Sequence, residues 1–194
     1  EPKAMRRLLQ GDVGSGKTAV GAFLAAHVHH AGYSSVLLAP TDILARQHVQ
    51  TFRKFFQGQH IPLLCVTRTE KAFYLDGQQQ ECSNQELMRY LEKGNVVVIG
   101  THALLYNQRL PKDMALAMVD EQHRFGVGQR EALSLFRTRS GEVPHFLSMT
   151  ATPIPRSLAL TLYGDLEVSI LREKPAGRLP IKTAVYIGEE RSRA

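Results

Sequence analysis

Residues 11 to 18 read GDVGSGKT, a Gly11-x4-Gly16-Lys17-Thr18 arrangement whose residue types suit a row of phosphates. Glycines let successive backbone N–H groups turn inward around one anion, and the N-terminus of a following helix adds a favourable partial charge. Gly11, Asp12, Val13, Gly14, Ser15, Gly16, Lys17 and Thr18 are therefore candidate nucleotide-binding residues. In this arrangement Lys17 reaches the β and γ phosphates and the Thr18 hydroxyl binds Mg2+. A glycine-rich strand-to-helix turn without a ligand is the plain alternative, and the pattern is too specific for chance to supply it often. Farther along, Asp120-Glu121-Gln122-His123 follows the apolar run LAMV, which puts Asp120 at the end of a buried strand. From there Asp120 can hold Mg2+ from the side opposite Thr18, and Glu121 is placed to orient and deprotonate an attacking water. An acidic pair after a strand is usually a solvated strand end; behind a phosphate loop it reads as the other half of a Mg-nucleotide site.

A third stretch, MTATPIPR at residues 149 to 156, follows the apolar HFLSM. By itself it is a proline-bearing strand-to-helix connection, Pro153 and Pro155 stiffening the loop before the helical RSLALTLYG. Beside the other two motifs, Thr150 and Thr152 become candidates for relaying the nucleotide state to another site.

These loops need a frame that presents them together. Apolar runs at Leu8–Leu9, Val36–Ala39, Leu63–Val66, Val96–Ile99, Leu116–Val119 and Phe146–Met149 predict buried strands. Between them, Val20, Phe23, Leu24, His27 and Val28 are spaced as one helix face closed by Ala31-Gly32, and a second helix runs through Leu44, Phe52 and Phe55. Thr41 or Asp42 caps that second helix. Alternating strands and helices predict an α/β fold: an open, mainly parallel sheet with helices on both faces and ligands at the carboxyl ends of its strands. The first part of Thr67 to Gly94, with its glutamine-rich GQQQECSNQ, reads as a surface loop, turning helical through Leu87, Tyr90 and Leu91. A strand is expected at Lys182–Ile187 and a linker beyond it.

Composition sets the outer bounds. The 194 residues carry 24 Lys and Arg against 18 Asp and Glu, a formal net charge of +6, which permits an anionic partner such as nucleic acid. Cys65 and Cys82 stand apart without zinc-ligand spacing, which suits a reducing cytoplasm. No apolar run reaches membrane-spanning length.

Phosphate loop, DEQH box and TAT loop in this order resemble the superfamily 2 helicases and translocases. More specifically, QGDVGSGKT, LLAPTDILARQH, VVIGTHALL, VDEQHRFGVGQR and MTATPIPRSLA are similar to the first RecA-like, P-loop NTPase lobe of the RecG family of DNA helicases, from Met5 to Ile187. The transcription-repair coupling translocases share much of this but tend to carry DEEH, so Gln122 favours RecG. The resemblance implies an ATP-binding lobe over residues 1–187, a linker at 188–194 toward a second lobe, and a wedge domain elsewhere in the full-length protein. It implies ATP and Mg2+ as ligands, and branched DNA (forks or Holliday junctions) as the partner in repair and recombination. By the same resemblance Gln122 and His123 join Lys17, Asp120 and Glu121 in the catalytic set and couple hydrolysis to DNA. Pro40, Thr41 and Arg46 fall in a motif that touches the DNA backbone, as do Thr101 and His102. The chain departs from the family at VTRTEK, where Arg68 replaces an expected glycine, and its start lies too close to the phosphate loop to hold the family's adenine-recognising glutamine segment. Without that segment the lobe alone is expected to bind Mg-nucleotide weakly, and it is expected to hydrolyse it slowly because such motors draw arginines from a second lobe.

Other readings use the same residues. A small-molecule kinase shares the phosphate loop but needs a lid and an acceptor pocket. A nucleotide-dependent DNA-binding module without hydrolysis is opposed by the intact Lys17, Thr18, Asp120 and Glu121. His27, His29 and His30 lack partners for a metal and read as a helix face; Cys65 reads as a buried apolar residue. Phe73, Tyr74 and Leu75 either form an exposed patch or fold back on the sheet.

Overall fold

The computed structural model describes residues 4–106, 109–121, 141, 143–152 and 166–172, and the structural statements below concern these. The elements run β1 (Arg6–Gly11), α1 (Lys17–His30), β2 (Ser34–Ala39), α2 (Asp42–Phe56), β3 (Leu63–Val66), β4 (Lys71–Leu75), β5 (Gln78–Glu81), α3 (Asn84–Lys93), β6 (Val97–Thr101), α4 (Ala103–Tyr106), β7 (Met114–Asp120), β8 (His145–Thr150) and β9 (Glu167–Leu171). They form one sheet in the order β5-β4-β3-β6-β2-β7-β8-β1-β9. Pairing is parallel from β3 to β9 and antiparallel only in β3–β4 and β4–β5.

Strand β2 is buried along its whole length, as a central parallel strand covered on both faces must be. Its residues alternate between two cores. Leu37 and Ala39 join Leu9, Ile99, Met118 and Met149 beneath α1 and α2. Val36 and Leu38 join Val98, Val119, Leu87, Leu91 and Leu104 beneath α3 and α4. Helices thus cover both faces, as expected.

The predicted helix faces hold in part: Phe52 is buried and Val20, Leu24, Val28 and Leu44 pack half-buried against the core, whereas Phe23, His27 and Phe55 face outward. In α1 the buried residues are Gly21, Ala22 and Ala25, while Phe23 is 71% exposed. Small side chains bring the helix close to the sheet: a Cβ on Gly21 would already sit 3.4 Å from Met118 Sδ and 3.7 Å from the Phe52 ring. In α2 the core stripe is Ala45, His48, Val49, Phe52 and Phe56, and Phe55 points outward. Thr41 is the cap, its Oγ1 accepting from Leu44 N at 3.3 Å. The α1 terminus is as predicted, with Gly32 at φ +86°.

The segment expected as a surface loop is instead a hairpin. Residues 71–75 alternate half-buried and buried, a period of two, and pair with β5 in the register Leu75↔Gln78 across Asp76-Gly77. Asp76 and Gly77 have φ of +50° and +82°, the left-handed pair that an Asp-Gly hairpin turn requires. Phe73 folds back and stacks on Tyr90 of α3 at 4.3 Å between ring centres. Strand β9 was also not foreseen, since EVSIL is short and half-exposed at the sheet edge. The expected strand at Lys182–Ile187, the helix after Pro155 and the 188–194 linker lie outside the described residues.

At the amino ends of the central strands, Asp113 joins three segments. Its Oδ1 accepts from Ser34 Oγ at 2.8 Å and its Oδ2 from Asn95 N at 2.8 Å, while Ser34 Oγ accepts in turn from Val96 N at 3.0 Å. Gly94, at φ +73°, passes so close that a Cβ there would run into the carboxylate. Asp113→Ala leaves these donors buried and unpaired, and is expected to lower stability by about 2–4 kcal/mol in urea unfolding.

Burial pushes the Cys65 thiol up to about 12. The folded chain therefore keeps this proton at pH values where the unfolded chain releases it, so Cys65 stabilises fully below about pH 8.5 and that contribution is lost as pH rises towards 12. Stability measured between pH 9 and 11 should fall less steeply in Cys65→Ala, by up to about 1.4 kcal/mol per pH unit.

Candidate nucleotide-hydrolysis site

Parallel pairing sends the carboxyl ends of the strands to one edge, and the registers place them level. Gln10 pairs with Thr150, and Asp120 with Met149, so the phosphate loop, the TAT loop and Asp120 emerge side by side from β1, β8 and β7. Two inter-strand steps separate β1 from β7, about 10 Å. Beyond β7 the edge continues: Leu38 pairs with Val119, Ala39 with Thr101, and Gly100 with Val66. Every motif picked out in the sequence, where described, lies along this line.

Gly11 ends β1, and a Cβ there would run into Ser15 Oγ and lie 3.0 Å from Leu171 Cβ, so only glycine lets the loop turn this tightly. Gly14 and Gly16 have φ of +80° and +96°, and Gly16 caps α1 in the left-handed conformation. Ser15 N donates to Asp12 O at 3.1 Å, closing the turn. Lys17 Nζ donates to the carbonyls of Gly11 and Asp12 at 2.7 and 2.9 Å, which holds its ammonium against the loop. Val13 is exposed at the loop tip, and Thr18 is half-buried in the first turn of α1.

Asp120 and Glu121 are neighbours with different surroundings. Met118 packs in the core beneath α1 and α2, and by strand alternation Asp120 points to that same face. There His48 of α2 meets it: Nε2 lies 2.7 Å from Asp120 Oδ2, with both residues buried. A carboxylate oxygen only accepts, so His48 Nε2 carries the hydrogen. Glu121 has φ +50°, a left-handed conformation costly for any residue but glycine, and its N–H donates to Met149 O at 2.9 Å. Its Oε2 accepts from Thr150 Oγ1 at 3.1 Å and its Oε1 from Ala151 N at 3.3 Å. Thr150 Oγ1 also accepts from Thr152 N at 3.1 Å, and Gln10 Nε2 donates to Thr152 O at 3.5 Å. Thr150 thus reaches Glu121 with its side chain, and the Thr152 amide meets that same Thr150 hydroxyl. Gln122 and His123 lie outside the described residues.

Sequence reasoning missed His48 and Gln10. A histidine at position 48 interrupts an otherwise apolar helix stripe, and Gln10 is a polar residue at the buried end of a strand just before the phosphate loop; each was a signal.

Along the other half of the edge, Pro40 and Thr41 follow β2 and Thr41 is exposed. Thr101 ends β6 and His102 follows it, and burial lowers the His102 pKa, favouring its neutral form. Arg46 is turned along the surface, its Nε 2.9 Å from Glu70 and an Nη donating to Thr69 Oγ1 at 2.9 Å. Arg53 lies over the Tyr74 ring at 4.7 Å. Both arginines therefore brace α2 against the hairpin. In the departing VTRTEK segment, Thr67 Oγ1 accepts from the amides of Thr69 and Glu70 at 3.3 and 3.0 Å, leaving Arg68 exposed at the turn. Among the described residues no group of His, Cys, Asp or Glu could hold a metal by itself, and no helix is long and apolar enough to cross a membrane.

A phosphate loop at the end of β1 and a carboxylate pair at the end of β7, on one parallel sheet with helices on both faces, define a RecA-like P-loop NTPase fold. The chain belongs to the DEAD/DEAH box helicase family, whose pattern matches residues 3–161. It is 44% identical over 98% of its length to "ATP-dependent DNA helicase RecG" of Synechocystis, and 46% identical over 96% to the protein of that name in Haemophilus influenzae. It spans only 22% and 26% of those two proteins. Among solved structures it is similar to RecG bound to a three-way DNA junction, with a TM-score of 0.71 and 35% identity over 93% of this chain and 22% of that one. The helicase domain of Pyrococcus furiosus Hef, at 20% identity over 88% of this chain and 35% of that one, shares the fold with a TM-score of 0.59.

The Thr150–Glu121 hydrogen bond carries a direct expectation. Thr150→Val keeps the shape but removes a donor to a carboxylate, which costs about 1.5–3 kcal/mol. If Glu121 serves ATP hydrolysis in the full-length protein, turnover there should fall roughly ten- to hundredfold while nucleotide affinity, read by equilibrium titration, stays within about twofold.

Proposed function

We propose that this chain is the first of two RecA-like ATPase lobes, residues 1–187, with 188–194 leading toward the second, in an ATP-dependent DNA helicase that remodels branched DNA in repair and recombination. The observation that carries the reading is the level sheet edge, with the phosphate loop, Asp120 and Thr150 on one half and the Thr41 and Thr101 loops on the other. Similarity to the RecG proteins supplies the choice of DNA over other nucleic acids and of branched over linear substrate. Cys65 and Cys82 are free thiols, which suits work in the cytoplasm.

In this reading the amides of residues 11–16 and the start of α1 cradle the ATP phosphates, and Lys17 leaves its loop carbonyls for the β and γ phosphates. The Thr18 hydroxyl and the Asp120 carboxylate are hard oxygen donors on the same face of the sheet. They suit Mg2+, which is commonly held by one or two protein oxygens together with phosphates and water. Bound there, Mg2+ would neutralise charge on the phosphates. Glu121, held by Thr150 and Ala151 N, orients the attacking water and takes its proton. Gln122 and His123, with Thr150 and Thr152, relay the outcome towards the DNA half, where Pro40, Thr41, Arg46, Thr101 and His102 meet the backbone of one strand. Arginines of a second lobe supply the remaining stabilisation of transferring charge, and a wedge domain elsewhere in the full-length protein engages the branch.

In the full-length protein, Glu121→Gln should bind ATP normally and hydrolyse it roughly 10^2- to 10^4-fold more slowly, with a forked DNA stimulating the native rate more than a linear duplex of equal length. A mutant that matches the native rate removes Glu121 from the chemistry, and equal stimulation by both DNAs removes the branched-substrate reading.

A further inference from the structure

Helix α2 buries a polar imidazole where its neighbours on the stripe are Ala45, Val49, Phe52 and Phe56. An apolar side chain would fill that position without giving up hydration, so the histidine must be offset by a specific bond. The bond present is the 2.7 Å donation from His48 Nε2 to Asp120 Oδ2. Asp120 is 9% exposed and His48 7%, so the pair lies at the inner wall of the site. A carboxylate at a strand end is free to rotate about χ2. Occupying Oδ2 from the α2 side fixes that rotation and leaves Oδ1 turned the other way; among the described residues no hydrogen-bond partner of Oδ1 is found. Asp120 and α1, which carries Thr18, lie on the same face of the sheet.

We propose that His48 is a positioning residue of the nucleotide site: its hydrogen bond to Asp120 Oδ2 orients that carboxylate so that Oδ1 receives the metal of the bound nucleotide. This rests on the assignment of Asp120 as a metal ligand in the proposed function. His48 touches neither nucleotide nor metal and acts through Asp120. Partners behind a metal ligand typically change metal affinity or activity ten- to a hundredfold when removed.

The test uses the full-length protein and equilibrium binding of a fluorescent ATP analogue, so that no turnover is needed. The quantity read is the Mg2+ concentration that half-maximally tightens nucleotide binding. His48→Leu and His48→Asn, the latter too short to reach, should each raise it about tenfold or more, while affinity in EDTA stays native. His48→Gln places an N–H at the reach of Nε2 and should return the Mg2+ requirement to within about threefold of native. Thermal melting without nucleotide identifies folded variants, and the Asn–Gln contrast stands if Leu does not fold. A native Mg2+ requirement in His48→Asn overturns the proposal, and so does a Gln variant as impaired as Asn. The outcome is separate from the helicase reading: if Glu121→Gln hydrolyses at the native rate while His48→Asn shifts the Mg2+ requirement and Gln restores it, the hydrolysis assignment fails and the positioning role survives.

Discussion

The parallel register of β7, β8 and β1 is the constraint on which the site depends. Asp120, Thr150 and Gln10 are distant in the chain, yet their strands end level because each is hydrogen-bonded to the next in fixed register. A slip of one residue would shift a strand by about 3.3 Å and turn its side chains to the opposite face. Asp120 would then point away from α1 and α2, and the alternation that puts Met118 and Met149 in one core and Val119 in the other would be lost. Packing of both cores therefore enforces the geometry of the chemistry. The stability of the sheet and the assembly of the nucleotide site rest on the same contacts.

That coupling extends into α2. One side of the helix contributes Phe52 and Phe56 to the core, its capped start follows the Thr41 loop, and its outer side is tied to the hairpin through Arg46–Glu70 and Arg53–Tyr74. Tyr74 Oη donates to Glu70 at 2.8 Å, so the same carboxylate serves both the arginine and the sheet. Exposed ion pairs of this kind contribute little individually. Here their effect is orientational, since α2 is seated by the core on one side and by the hairpin on the other. His48 extends from a helix held at several points to the carboxylate at the centre of the site.

The features legible in the sequence were those written in local patterns. Six strands stood out as apolar runs because a sheet covered on both faces needs continuous hydrophobicity. The phosphate loop was legible because its glycines answer a steric requirement, seen at Gly11 and in the positive φ of Gly14 and Gly16. Helix faces were misread where size mattered more than hydrophobicity: Phe23 is the more apolar residue, but Gly21 and Ala25 allow closer approach. The hairpin was hidden by the glutamines of an exposed edge strand, although Asp76-Gly77 announced it. His48 could not be assigned because its meaning depends on a partner 72 positions away.

Glu121 shows how backbone and function constrain one another. Its left-handed conformation costs of order 1–3 kcal/mol, and a glycine would adopt it freely but bring no carboxylate. The strain persists because Met149 O, Thr150 Oγ1 and Ala151 N, all at the end of β8, engage its amide and both of its oxygens. If Glu121 is the base for hydrolysis, its aim is set by the loop that follows β8, and a displacement of that loop would release strain and misdirect the carboxylate together. The reverse also holds: a change of charge or contact at Glu121 must be felt by Thr150 and, through its hydroxyl, by the amide of Thr152. A relay between nucleotide state and the rest of a motor needs an element with two arrangements of similar energy. The bonds from the end of β8 to Glu121 are the contacts through which such an element would have to act.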